Sequence, residues 1–139
     1  MNTGTGQHPT AFVSPKAAVG EHVQIGAFSV ICPGSEVGDE SRIEHHVVVG
    51  DSVKIGQRCV IGHGCILSSG LIVGDDVAIL PGVITSSSVK IEDGATIGPG
   101  TVLMGLQGEP LLIEMGATVD AGAVVIENVE AKIAKAGKR

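Results

Sequence analysis

The chain of 139 residues has no Trp, no Tyr and only two Phe, which excludes a core built on large rings. Its three Cys are an odd number and too few for a disulfide scaffold. No apolar run approaches the roughly 20 residues of a membrane span, and none follows Met1 as a secretory leader would. Charged residues make up 17% and the formal net charge is -6, so the electrostatic basis for holding nucleic acid is missing. These absences lead to the expectation of one soluble cytoplasmic domain, with neither nucleic acid nor membrane insertion among its partners.

What the chain does have is Gly, 21 of them, and a strict aliphatic period. From Val13, every sixth residue is Val, Ile or Leu: Val19, Ile25, Ile31, Val37, Ile43, Val49, Ile55, Ile61, Leu67, Val73 and Ile79, then Ile91, Ile97 and Leu103, with Thr85 the one break. Gly often follows, as at Gly20, Gly26, Gly56 and Gly74, and a small or β-branched residue recurs four places on, as at Ser29, Ser35, Ser41 and Cys59. A period of six fits no α-helix, whose side chains return every 3.6 residues. It fits an all-β parallel β-helix, each repeat a short strand plus a turn, each coil burying its inward residues only by stacking on the next.

With three hexads to a coil, residues 18 apart stack at the inter-strand spacing of about 4.8 Å. Side chains alternate along a strand, so the residue before each inward aliphatic points outward. One outward column reads Phe12, Val30, Val48, Ile66, Ile84 and Val102, wholly apolar, whereas the other two mix in Glu36, Lys54, Gln24 and Arg42. An exposed apolar stripe of this kind predicts an interface between copies of the chain. After Leu103 the inward step lengthens to ten at Ile113, so a loop of four extra residues is expected within Met104 to Leu112, and the stripe resumes at Val124. The expected organisation is a flexible segment over 1–7, about six β-helical coils over 8–130, and a basic tail over 131–139.

His45 and His63 are 18 apart and stack at one turn, their column continuing as Pro81 and Pro99. The adjoining column reads His46, Gly64, Gly82 and Gly100, so bare backbone borders the imidazoles and leaves room for a ligand. An imidazole accepts a proton from an amine or hydroxyl near neutral pH, which suits general-base catalysis of acyl transfer. His63 is the preferred base, His45 its orienting or acceptor-binding neighbour, and amides near Gly64 and Gly82 the candidates for stabilising an oxyanion. His46, Gly64, Gly82, Gly105 and Gln107 form the candidate substrate-binding set, the last two from the loop. Clustered imidazoles also suit zinc, but two stacked histidines and one neighbour supply too few ligands within one chain, so no metal is expected.

The hexads, the His8-Pro9-Thr10-Ala11 opening and the interrupted last coils resemble the hexapeptide-repeat acyltransferases, nearest to the nucleotide-sugar N-acetyltransferases, from His8 to Val129. The resemblance implies a left-handed winding, an exception to the right-handed crossover rule. It also implies a homotrimer, here through the stripe from Phe12 to Val124, and acetyl-CoA or another acyl-CoA as donor to the amino group of a nucleotide-linked sugar. Where that group carries Asn-rich sequence this chain has Ile61-Gly62-His63-Gly64-Cys65, so His63 replaces an amide residue. Two alternatives share the fold: a metal enzyme similar to the γ-class carbonic anhydrases, whose paired histidines five apart are incomplete here because Ser68 follows His63, and a non-catalytic trimeric assembly module.

Overall fold

A computed structural model describes residues 6–106 and 108–131. Among them every regular element is a short strand of two or three residues, and all strand pairs are parallel. The strands make three sheets of seven, seven and six, each sheet built from every third strand, as in a three-sided solenoid. We call them the first face, which starts at Gly6–Gln7, the apolar face, which starts at Phe12–Val13, and the third face, which starts at Ala18–Val19.

The register is the 18-residue step read from the sequence. On the apolar face Phe12, Val30, Val48, Ile66, Ile84 and Val102 stack in order, and the next partner is Val124. The third face makes the same jump of 22, from Lys90 to Leu112 and Ile91 to Ile113. The extra residues form a tight hairpin in which Leu106 and Glu109 exchange both backbone hydrogen bonds, at 3.2 and 2.8 Å. Gly105 anchors its base through Ser86, whose Oγ accepts from the Gly105 N–H at 2.9 Å.

The inward aliphatics from Ile25 to Leu103 are buried, with Thr85 among them, and so are the small residues four places on. Polar atoms at those small positions are satisfied within the stack. Ser29, Ser35 and Ser41 donate to the carbonyls of Glu44, Gly50 and Gly56 at 2.6, 2.6 and 2.8 Å, and the thiols of Cys59 and Cys65 take the same place against Gly74 and Leu80 at 3.0 and 3.2 Å. No buried side-chain nitrogen or oxygen among the described residues lacks a partner, as a buried polar group requires.

One boundary differs from expectation. The ladder begins at Gly6–Gln7, which pairs with Gln24–Ile25, rather than after residue 7, and two faces carry seven strands rather than about six. Gln7 holds the inward register opposite Ile25 but lies at the exposed end of the stack, where burial no longer demands an aliphatic, so the period hides it. Residues 1–5 and 132–139, including nearly all of the expected basic tail, lie outside the described residues.

Candidate active site at the histidine corner

The site is built from one feature of the turns. The side chain that opens a turn lies over the residue 19 places earlier and reaches the backbone N–H beside it. Asp39 Oδ1 accepts from Glu21 N–H at 2.9 Å, Asp75 from Gln57 at 2.8 Å and Asp93 from Asp75 at 2.8 Å. The residues beneath are Gly20, Gly56 and Gly74, and a Cβ on any of them would run into the capping carboxylate. Here Gly is needed for space.

His45 obeys the same rule at the corner joining the first and apolar faces. Its Nδ1 accepts the Ala27 N–H at 2.8 Å, and a Cβ on Gly26 would stand 2.6 Å from that nitrogen. A backbone N–H can only donate, so in the neutral ring Nδ1 carries the lone pair and Nε2 the proton. His45 therefore presents a donor, and has no free lone pair with which to act as a base while this bond holds.

His63 stands one rung further on, but the position beneath it is Glu44 instead of Gly. Glu44 thus carries a side chain at the place where Gly26 leaves His45 open space. The His63 imidazole is two-thirds exposed, and its Nδ1 lies 3.7 Å from Glu44 Oε1. A carboxylate facing Nδ1 favours the tautomer with the proton there, leaving the Nε2 lone pair open to solvent. Cys32 and Asp51 repeat the arrangement elsewhere: with no Gly beneath, the thiol and carboxylate interact, and burial together with Asp51 pushes the Cys32 thiol up.

His46 lies beside the pair at φ 58°, and its ring stacks on Phe28 with centroids 5.3 Å apart. Gly64 and Gly82 follow it in the same column at φ 74° and 79°, a conformation that costs an L residue roughly 1–2 kcal/mol. A Cβ on Gly64 would meet nothing within 4 Å, so the strip beside the histidines is open. The amides of Gly64 and Gly82 are not free, because they donate to the carbonyls of His45 and His63 at 3.0 Å each. The inter-coil ladder therefore takes up these two N–H groups, and the expected oxyanion contact falls to other amides near Gly64 and Gly82.

The structure brings His45, His46, His63, Gly64 and Gly82 to one corner and leaves Gly105 apart. The hairpin emerges between the apolar and third faces, on the other edge of the apolar face, so within one chain it does not wall the histidines. Gln107 lies outside the described residues. Glu44 is the candidate residue that sequence reading missed, although the signal was present: it is a break in the Gly position, 19 residues before His63. A cavity of about 600 Å³ opens on the first face beside Glu44 and His45, and Gln24 and Arg42 line it.

Burial raises the pKa of the Cys59 and Cys65 thiols, which disfavours a nucleophilic thiolate at either. Among the described residues no group of three His, Cys, Asp or Glu is placed to hold a metal ion, and no helix is long and apolar enough to cross a membrane.

Fold and repeat define the class: an all-strand parallel β-solenoid of about seven turns, consistent with left-handed hexapeptide winding. The family described as Bacterial transferase hexapeptide (six repeats) matches residues 16–51, and that described as Hexapeptide repeat of succinyl-transferase matches residues 52–85. Together they take in just over half of the chain, which belongs to the hexapeptide-repeat family. A UDP-3-O-acylglucosamine N-acyltransferase of Psychrobacter cryohalolentis is 50% identical over 44 residues, 32% of this chain and 13% of its own length. A solved structure of a histidine-to-asparagine mutant of perosamine N-acetyltransferase from Caulobacter crescentus, in complex with CoA and GDP-perosamine, aligns with TM-score 0.58 and 24% identity, over 91% of this chain and 56% of that one. The acetyltransferase domain of PglB from Neisseria gonorrhoeae aligns with TM-score 0.45 and 24% identity, over 93% of this chain and 52% of that one. The chain thus spans only part of the length of these relatives.

Proposed function

We propose that the protein moves an acetyl or related acyl group from an acyl-CoA thioester to the amino group of a nucleotide-linked sugar. The observation that carries this reading is the exposed His63 imidazole with Glu44 3.7 Å from Nδ1, the base and orienting acid of a proton-transfer pair. The acceptor amine attacks the thioester carbonyl while His63 Nε2 takes its proton, and Glu44 balances the imidazolium. The tetrahedral adduct then expels the CoA thiolate, which leaves as the thiol with the proton that His63 returns. His45, held as an Nε2–H donor, positions the acceptor, and the open strip over Gly64 and Gly82 leaves room beside it for the reacting groups. The relatives support this reading through the CoA and nucleotide sugars in their descriptions.

A homotrimer accompanies it, supported by the apolar face, where Phe12, Ile66, Ile84 and Val124 are 56, 44, 43 and 66% exposed in the single chain. If that face lines a threefold axis, the histidine corner of each protomer meets the loop corner of the next, and Gly105 reaches the site from a neighbour. A reducing cytoplasmic setting suits the three free cysteines.

His63→Ala tests the reading: turnover with acetyl-CoA and a panel of nucleotide aminosugars should fall by about two orders of magnitude or more while the fold and mass persist. Unchanged kinetics would remove the assignment. Ile66→Asp should dissociate the assembly, as read by light scattering, and a mass equal to that of the parent protein would count against the interface.

A further inference from the structure

The cavity on the first face lies over the first three rungs, and its chemistry is divided between two ends. Gly6 and Gln24 floor one end, and the Gln24 side chain folds over Gly6, where any Cβ would collide with it. Arg42 is the only Lys or Arg among the lining residues. Its sheet partners are Gln24 and Val60, which are uncharged, and it has no carboxylate partner among the described residues. The third face treats its cation differently: Lys54 is in register with Glu36 and pairs with it at 3.8 Å. At the carboxylate corner Arg58 is likewise held by Asp76 at 2.8 Å. Arg42 thus stands as an unneutralised guanidinium beside a concave surface, on a chain whose net charge is -6. At the other end are Glu44, whose carboxylate faces His63, and His45, whose Nε2 carries a proton to donate.

The two ends suit opposite parts of one molecule. A guanidinium offers a planar fork of N–H donors matched to two phosphate oxygens. Glu44 and His63 attract and deprotonate an amine. Arg42 and Glu44 are two residues apart along extended chain, about 7 Å, comparable to the reach of a sugar ring from its anomeric phosphate to a ring amine. A volume of about 600 Å³ lies within the range of sites that enclose small organic ligands.

We infer that this cavity is the acceptor subsite, in which Arg42 grips the diphosphate of a nucleoside diphosphate aminosugar and so sets its amine at Glu44 and His63. The inference rests on the acyl-transfer reading for the fate of the amine, but the diphosphate contact stands by itself. Arg42 is here a binding residue, Gln24 and the His45 Nε2–H neutral donors beside it.

Calorimetric titration of the full chain with UDP and with GDP tests the contact without any turnover. One of the two should bind, and Arg42→Gln should weaken it tenfold or more while leaving CoA affinity and the melting temperature unchanged. Lys54→Gln, a cation removed from the third face, should leave nucleotide affinity as it was. Absence of binding by both nucleotides, or equal affinity in Arg42→Gln, overturns the subsite even if His63→Ala abolishes acyl transfer. Arg42-dependent nucleotide binding, together with unchanged turnover in His63→Ala, would retain the subsite and discard the acyl-transfer reading instead.

Discussion

His45 and His63 are the same residue at the same point of successive coils, yet one caps the backbone and the other faces a carboxylate. Over Gly26 the His45 ring folds down and its Nδ1 takes up the Ala27 N–H, the task performed by Asp39, Asp75 and Asp93 at the opposite corner. Over Glu44 that descent is blocked, and the His63 ring stays out beside the carboxylate that blocks it. One side chain in place of one hydrogen atom both keeps the His63 ring off the backbone and sets a carboxylate beside it. The repeat makes the proposed site by failing at one position, with no added element.

The comparison can be broken most severely at the residue beneath. Glu44→Gly should let His63 fold onto the turn as His45 does, and turnover should drop by about 100-fold, approaching the loss in His63→Ala. Glu44→Gln keeps the obstruction and removes the charge, so steady-state kinetics should show a smaller loss, about tenfold, or about 1.4 kcal/mol in the barrier. Equal losses in the two variants would mean that the carboxylate, and not its bulk, is all that matters.

On the His45 side the readout is stability. Gly26→Ala places a Cβ 2.6 Å from His45 Nδ1 and 2.7 Å from the Glu44 carbonyl carbon, an overpacking worth about 1–3 kcal/mol by denaturant melts. His45→Ala removes a turn cap and should cost about 1 kcal/mol, as N-cap deletions do. His45→Asp should recover most of that loss, since three aspartates already perform the same capping. Failure of Asp to recover it would show that the cap is not the reason for His45.

Much of the architecture was legible because burial enforces it. The inward aliphatics recur every six residues since each must fill the same narrow interior, and the shift to 22 at Val124 and Leu112 follows from counting that column past the hairpin. The first strand escaped because Gln7 sits at the solvent end, where no such rule acts. The gathering of His45, His46 and His63 was readable from the 18-residue step, but their roles were not. Those roles depend on the residue 19 places earlier, Gly26 or Glu44, and on a backbone N–H that no side-chain pattern reveals. Gly105 was grouped with the histidines because sequence gives the place of a loop along the chain, and the corner from which it leaves only follows once the faces are laid out.

Nitrogen-resolved NMR of the two imidazoles in their neutral forms tests the central claim most directly. His45 should show a hydrogen-bonded, unprotonated Nδ1 with the proton on Nε2, and His63 the opposite tautomer, with Glu44→Gly converting the second pattern into the first. Identical tautomer populations at His45 and His63 in the parent protein, with no response to Glu44→Gly, would contradict it.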